Sequence, residues 1–241
     1  AAYLAENGAK ADVVTQLGNQ GRSSIESRTA VELIRNGAIG KIKEGIIWEN
    51  KRLNWWPKNT ALRTQGDAIP KGLHWDLWLG VREPRPYLEK TYHPKHWRAW
   101  FDFGVGEMGD MGCHIVDHPV WALKLGSPTS VEAVTTLDGS EVDGKANFET
   151  YPIAAVIFYE FPARGALPPV KMTWHEGGLM PPTPGEMPRG TQLPKNGVLY
   201  IGSKGKMYHG SHGGMPHLLP QSLADSFHSQ KLGSETDVKP A

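Results

Sequence analysis

Between Ser130 and His209 the chain carries five β-forming runs with no long helix to separate them, and this restricts the fold more than anything else. The runs are Ser130–Leu137, Ile153–Phe161, Val170–His175, Val198–Ile201 and Lys206–His209, each rich in β-branched or aromatic residues and bounded by Gly, Pro, Asp or Asn. Parallel neighbours need a crossover of a dozen or more residues, so these runs predict a large, mostly antiparallel open sheet in an α/β (α+β) fold, with helices on one face. A further strand is expected over Lys41–Glu49, centred on Ile46, Ile47 and Trp48. Gly177–Asn196, with five prolines, reads as a long loop able to cover a site.

Upstream, Ala1–Ala9 reads as the tail of a helix. Asp12–Leu17 is a short β-branched run between Gly8 and Gly18, predicting a buried strand. Gly18-Asn19-Gln20-Gly21-Arg22 is a tight loop. Ser23-Ser24-Ile25-Glu26 then forms a capping box for a helix whose buried face is Ala30, Leu33 and Ile34, ending near Gly37.

Gly104–Gly126 carries the chemistry. Its glycines open onto a helical pattern in which Asp110, His114 and Asp117 fall at i, i+4 and i+7, on one face. Met108, Met111, Ile115 and Ala122 form an adjoining apolar stripe, and Pro119 predicts a kink or split below the imidazole. A carboxylate one turn from an imidazole can fix its tautomer and stabilise its charged form, the equipment of a general base near neutral pH. An ordinary helix-surface contact has the same spacing. Metal binding by Asp110, His114, Asp117 and His118 lacks a second His- or Cys-rich cluster elsewhere in the chain, so no metal is expected.

From Asn50 to Trp100 the pattern is irregular, yet this stretch holds six of the nine tryptophans, Trp55, Trp56, Trp75, Trp78, Trp97 and Trp100. Indoles beside Arg and Asp suit a sugar, whose C–H face lies on an aromatic ring while its hydroxyls meet polar groups. Aromatics that merely pin down an irregular loop would look the same.

With 26 basic against 25 acidic residues, the chain has no charge excess to favour nucleic acid or an anionic membrane. No apolar run approaches the ~20 residues of a membrane span. The single cysteine, Cys113, excludes an internal disulfide; it points ~100° around the helix from His114 and reads as a packing residue. Both termini read as cuts in a longer chain, so localisation stays open between cytoplasm and periplasm, and 228–241 reads as a polar tail.

Gly104-Val105-Gly106-Glu107-Met108-Gly109 matches the dinucleotide fingerprint G-x-G-x-x-G, but the match is rejected. The residues before it, 98–103, are no Val/Ile strand. The expected acid should lie ~20 residues on, whereas Asp138 is 29 beyond Gly109. Glu107 and Asp110 would also bring negative charge to the pyrophosphate.

In Gly18–Arg22, Ala30–Gly40, Trp75–Gly80, Trp97-Arg98 and above all Gly109-Asp110-Met111-Gly112-Cys113-His114-Ile115-Val116-Asp117, the chain resembles the Gfo/Idh/MocA oxidoreductases. The resemblance runs to about residue 227. It implies a C-terminal domain over 18–227 that carries the substrate site and often forms a homo-oligomer through its sheet. Residues 1–17 would be the remnant of a Rossmann domain that binds NAD or NADP. The rest of that domain, with its glycine fingerprint and Glu-Lys-Pro motif, is the one large departure from the family pattern. The resemblance further implies that His114 is the acid/base and Asp110 orients the substrate. Asn19 and Arg22 would lie at the seam with the cofactor. Arg98, Trp97, Trp75, Asp117 and His175 are the residues expected to bind the sugar or polyol. The expected function is the substrate-binding portion of a sugar or polyol dehydrogenase. Alternatives are a glycosidase working by transient oxidation, or a sugar-binding or assembly module without catalysis.

Overall fold

The structure, a computed structural model, describes residues 2–16, 18–51, 65–136, 141–142, 145–146 and 149–228. The helix expected at the start is α1 (Ala2–Lys10). In α2 (Ile25–Arg35) the cap is Ser24, whose hydroxyl accepts from the Ser27 N–H at 3.1 Å, so Glu26 is not the partner that closes the turn. β1 (Ile42–Glu49) follows, then the one-turn α3 (Trp75–Leu79). The chemical motif forms α4 (Gly106–Ile115) and α5 (Asp117–Leu123), split at Val116 as the nearby Pro119 predicts. The remaining strands are β2 (Ser130–Thr135), a small hairpin of β3 (Glu141–Val142) and β4 (Lys145–Ala146), β5 (Ala155–Phe161), β6 (Val170–His175), β7 (Asn196–Gly202), β8 (Lys206–Gly210) and β9 (His217–Leu219). α6 (Gln221–His228) closes the described chain.

Seven strands form one sheet in the order β2-β5-β6-β1-β7-β8-β9. Only β1 and β6 run parallel; the other pairs are antiparallel, as the short connections required. Strand alternation sorts the two faces. Ile47, Met172, Trp174, Val198, Tyr200 and Met207 join Ala30, Leu33 and Ile34 of α2, Met111 and Ile115 of α4 and Ala122 of α5 in one core. Trp48, Leu199 and Leu219 instead meet Met187 and Leu193 of the proline-rich loop on the opposite face. The central strands are thus buried on both faces, while all six residues of β2 are exposed.

Two expectations are corrected. The run from Asp12 forms no strand over its described residues: Val14 is fully exposed. No strand lies beside it to take its backbone groups, and β-branched composition alone cannot supply that partner. Leu17 lies outside the described residues. Cys113 is exposed, with its Sγ directed at the Asp110 carbonyl at 3.5 Å, and is not a packing residue.

The irregular region has a core of its own. Trp75, Leu79, Tyr87, Leu88, Tyr92, Ala99 and Trp100 pack together, with Tyr92 and Trp100 wholly buried and their rings 4.8 Å apart at 61°. Arg85 pairs with Asp102 at its edge. Trp55 and Trp56 lie outside the described residues.

Candidate functional site

The site forms where one end of the sheet meets α4. Beyond Trp48, β1 delivers Glu49, Asn50 and Lys51. Its antiparallel neighbour β7 begins at Asn196, opposite Glu49, and β8 runs out into Ser211 and His212. α4 faces this end with Glu107, Asp110 and His114.

Asp110 is held by two cations. Lys51 Nζ donates to one carboxylate oxygen at 2.9 Å and Arg98 Nε to the other at 2.7 Å. Burial pushes this carboxyl up, but hydrogen bonds from Lys51 and then Arg98, with their charges, outweigh it and keep Asp110 below its usual range. The Arg98 guanidinium also lies 4.5 Å from the centre of the Trp97 ring. Glu107, wholly buried, accepts from the Lys51 backbone N–H at 3.2 Å and so anchors the lysine's entry into the site.

His114 is half-buried. Its Nδ1 is sealed from solvent with no hydrogen-bond partner. The expectation that a carboxylate one turn away holds the ring's tautomer is corrected: both Asp110 oxygens are taken by Lys51 and Arg98. The ring instead stacks on His212, with centroids 4.4 Å apart and planes at 28°.

Asp117 accepts from Arg22 at 2.6 Å, and that guanidinium lies 4.6 Å over the Trp121 ring. Asn19 caps the turn that carries Arg22, accepting the Arg22 N–H at 3.3 Å. These three residues share the α4–α5 side of the site. Trp75 does not join them. It is 7% exposed, donates Nε1 to the Arg85 carbonyl and stacks on Trp78, so it offers a sugar no open face. His175 is also displaced. It pairs in register with Trp48 on the sheet face opposite Trp174, away from α4. Their motifs look functional because aromatic loops and strand-end histidines serve packing and binding equally well.

Three contributors had no motif to reveal them: Lys51, His212 and Glu49. Burial pushes Glu49 up from 4.5 to about 7, opposed by Lys51 and aided by Glu107. Between those values the native state keeps a proton that the unfolded chain has released. Glu49 therefore lowers stability as pH rises through the window, and the loss is complete above pH 7. Replacing Glu49 by Gln is expected to leave stability unchanged below pH 4.5 and to raise it by about 3 kcal/mol above pH 7, as urea unfolding would measure. A difference between variant and parent that does not move with pH would refute this.

Beneath the site lies a second polar pair. His118 Nε2 and the Ser27 hydroxyl are 3.0 Å apart, and His118 meets His209 edge-on at 5.0 Å. Burial pulls both imidazoles down to about 4, so they are neutral spacers at physiological pH. Among the described residues no group of three or more His, Cys, Asp or Glu is placed to hold a metal ion, and no helix is long and apolar enough to cross a membrane.

The glycine-rich stretch fails as a dinucleotide cradle. A 3₁₀ turn (His96–Ala99) and a bridge residue, Trp100, precede it, not a buried strand. A Cβ on Gly104 would lie 2.5 Å from the Arg98 carbonyl oxygen and one on Gly106 2.9 Å from the Tyr151 ring, so the space is already filled by the protein. In the Asn19–Arg22 loop the Arg22 side chain stays 43% exposed.

A mostly antiparallel seven-stranded sheet with helices on one face defines an α/β domain. The family model described as "Oxidoreductase family, C-terminal alpha/beta domain" matches residues 25–148, and the chain belongs to this Gfo/Idh/MocA family. Comparison with curated proteins finds no match. Among solved structures the chain is similar to aldose-aldose oxidoreductase from Caulobacter crescentus complexed with glycerol (16% identity, 89% of this chain and 50% of that one, TM-score 0.50). It is also similar to a super-repressor mutant of Gal80p from Saccharomyces cerevisiae (16% identity, 90% and 48% covered, TM-score 0.51). A third is the WlbA dehydrogenase from Bordetella pertussis in complex with NADH and UDP-GlcNAcA (14% identity, 85% and 45% covered, TM-score 0.48). At such identities the likeness shows the fold. The chain spans about half the length of the solved chains it matches.

Proposed function

We propose that this chain is the substrate-binding portion of an NAD(P)-dependent oxidoreductase acting on a CH–OH group of a sugar or polyol. The observation that carries the reading is the half-buried His114, stacked on His212 and on the same helix face as Asp110 with its Lys51 and Arg98 partners. In this reading His114 takes the hydroxyl proton of the carbon being oxidised. A bound nicotinamide supplies the hydride acceptor. Asp110, fixed by Lys51 and Arg98, accepts from a neighbouring hydroxyl and aligns the reacting carbon, while the Arg98–Trp97 pair walls the sugar. Asn19 and Arg22 border the nicotinamide, and Asp117 holds Arg22 there. Val134 and Phe158, exposed on one face of the β2–β5 pair, support assembly of copies through that surface.

The test is to assay the full-length protein on sugars and polyols with NAD and with NADP, following reduced nicotinamide. Stoichiometric reduction is the expected result. Release of an aglycone without net reduction would favour transient-oxidation glycoside cleavage. The similarity to a repressor supports a third reading, binding without catalysis. Sugar binding with no turnover by any cofactor would establish it.

A further inference from the structure

His212 has no place in any motif, yet the fold commits several elements to it. Its φ is +58°, a conformation that most non-glycine side chains avoid. The next residue, Gly213, lies so close to α2 that a Cβ there would fall 2.1 Å from the Ser24 hydroxyl. Gly21 of the Asn19–Arg22 loop backs onto the His212 main chain, where a Cβ would sit 3.0 Å away. The loop is thereby wedged between the proposed cofactor seam and α4, with its imidazole face to face with His114.

A hydrogen-bonded chain fixes the ring. His212 Nδ1 is 3.0 Å from the Ser211 hydroxyl, which donates to Asn196 Oδ1 at 2.7 Å, and Asn196 Nδ2 donates to Glu49 at 3.5 Å. Because the Ser211 hydroxyl donates onward, His212 donates through Nδ1, and Nε2 is the unprotonated nitrogen of the neutral ring.

We propose that His212 is a further substrate-contacting residue of this site, paired with His114 in a two-imidazole unit that is neutral at rest and carries at most one positive charge. The role deepens the dehydrogenase reading and rests on it. Two stacked imidazolium rings would place like charges about a ring's width apart, so the second proton is strongly disfavoured. When the substrate O–H bond breaks and its proton passes to His114, His212 stays neutral and accepts a hydrogen bond from an adjacent hydroxyl of the same molecule. This fits a substrate with neighbouring hydroxyls, as sugars and polyols have. The charged groups facing His212 are His114 and Asp110 of α4, Lys51 beyond β1 and, more deeply, His118 of α5. Burial first, then His114 and Lys51, hold its charge down, and Asp110 opposes them.

Two measurements test this. The first is imidazole ¹H–¹⁵N NMR of this chain against pH, which needs no substrate. His114→Gln is expected to raise the His212 midpoint by about 0.7 unit or more, the water-screened lower bound for unit charges at this separation. An unmoved midpoint overturns the paired unit. The second is kinetics of the full-length enzyme carrying His212→Asn, chosen because Asn tolerates the left-handed backbone. Its kcat/KM is expected to fall about 10–100-fold, and its pH profile to lose the contribution of the pair. Ser211→Ala, which keeps the imidazole and removes its tether, should give a smaller loss in the same direction. Unchanged kcat/KM in His212→Asn overturns substrate contact and leaves the His114 reading intact. Unchanged turnover in His114→Ala would instead remove the reading on which the proposal rests.

Discussion

Alanine at position 114 in the full-length protein is expected to lower kcat by ~10²–10⁴-fold while KM for the sugar changes little. In the proposed reading the loss is confined to the chemical step, because the ring takes the proton while Asp110, Arg98 and the Trp97 face hold the substrate. Asp110→Asn should behave differently. It keeps the shape of the side chain but removes the charge that holds Lys51 and Arg98, so KM and kcat should move together as the substrate loses its alignment. Steady-state kinetics on both variants decides the matter. A His114→Ala enzyme with parental kcat would leave the domain without its acid/base group.

Trp100→Ala is expected to cost about 3–5 kcal/mol of stability, among the largest effects of any single truncation here. The indole is wholly buried and packs edge-on against Tyr92, and its Nε1 donates to the Thr91 carbonyl at 3.0 Å. Its backbone carbonyl accepts from Gly104, the first glycine of the stretch that enters α4, at 2.8 Å. Losing the ring should therefore loosen the segment that carries Arg98 as well as the small aromatic core. Urea unfolding should show the cost, and faster proteolysis between residues 65 and 103 should show where it falls. A cost below about 1 kcal/mol would mean that the aromatic cluster is a surface coating and not a core.

The sheet was readable because each strand announces itself locally. Val170–His175 matches β6 end to end, and Lys41–Glu49 differs from β1 by one residue. β9, only three residues long, carries too little pattern to be seen. Asp12–Leu17 has strand composition but no neighbour, and pairing is a property of two segments, never of one. The parallel β1–β6 pair was hidden for the same reason: the residues that choose it are more than a hundred positions apart.

The sequence by itself determined the mostly antiparallel sheet, the split helix and the placing of Asp110, His114 and Asp117 along it, since periods of two and 3.6 residues are written into local spacing. Only the tertiary structure decided who meets these side chains. Lys51 and Arg98 claim Asp110, Arg22 claims Asp117, and His212 lies against His114, across separations of up to 98 positions. It also decided that Trp75 belongs to a core and that His175 faces the far side of the sheet. Such contacts arise from which strand ends and loops converge, a consequence of burying apolar faces over the whole chain, and no short stretch of residues encodes them.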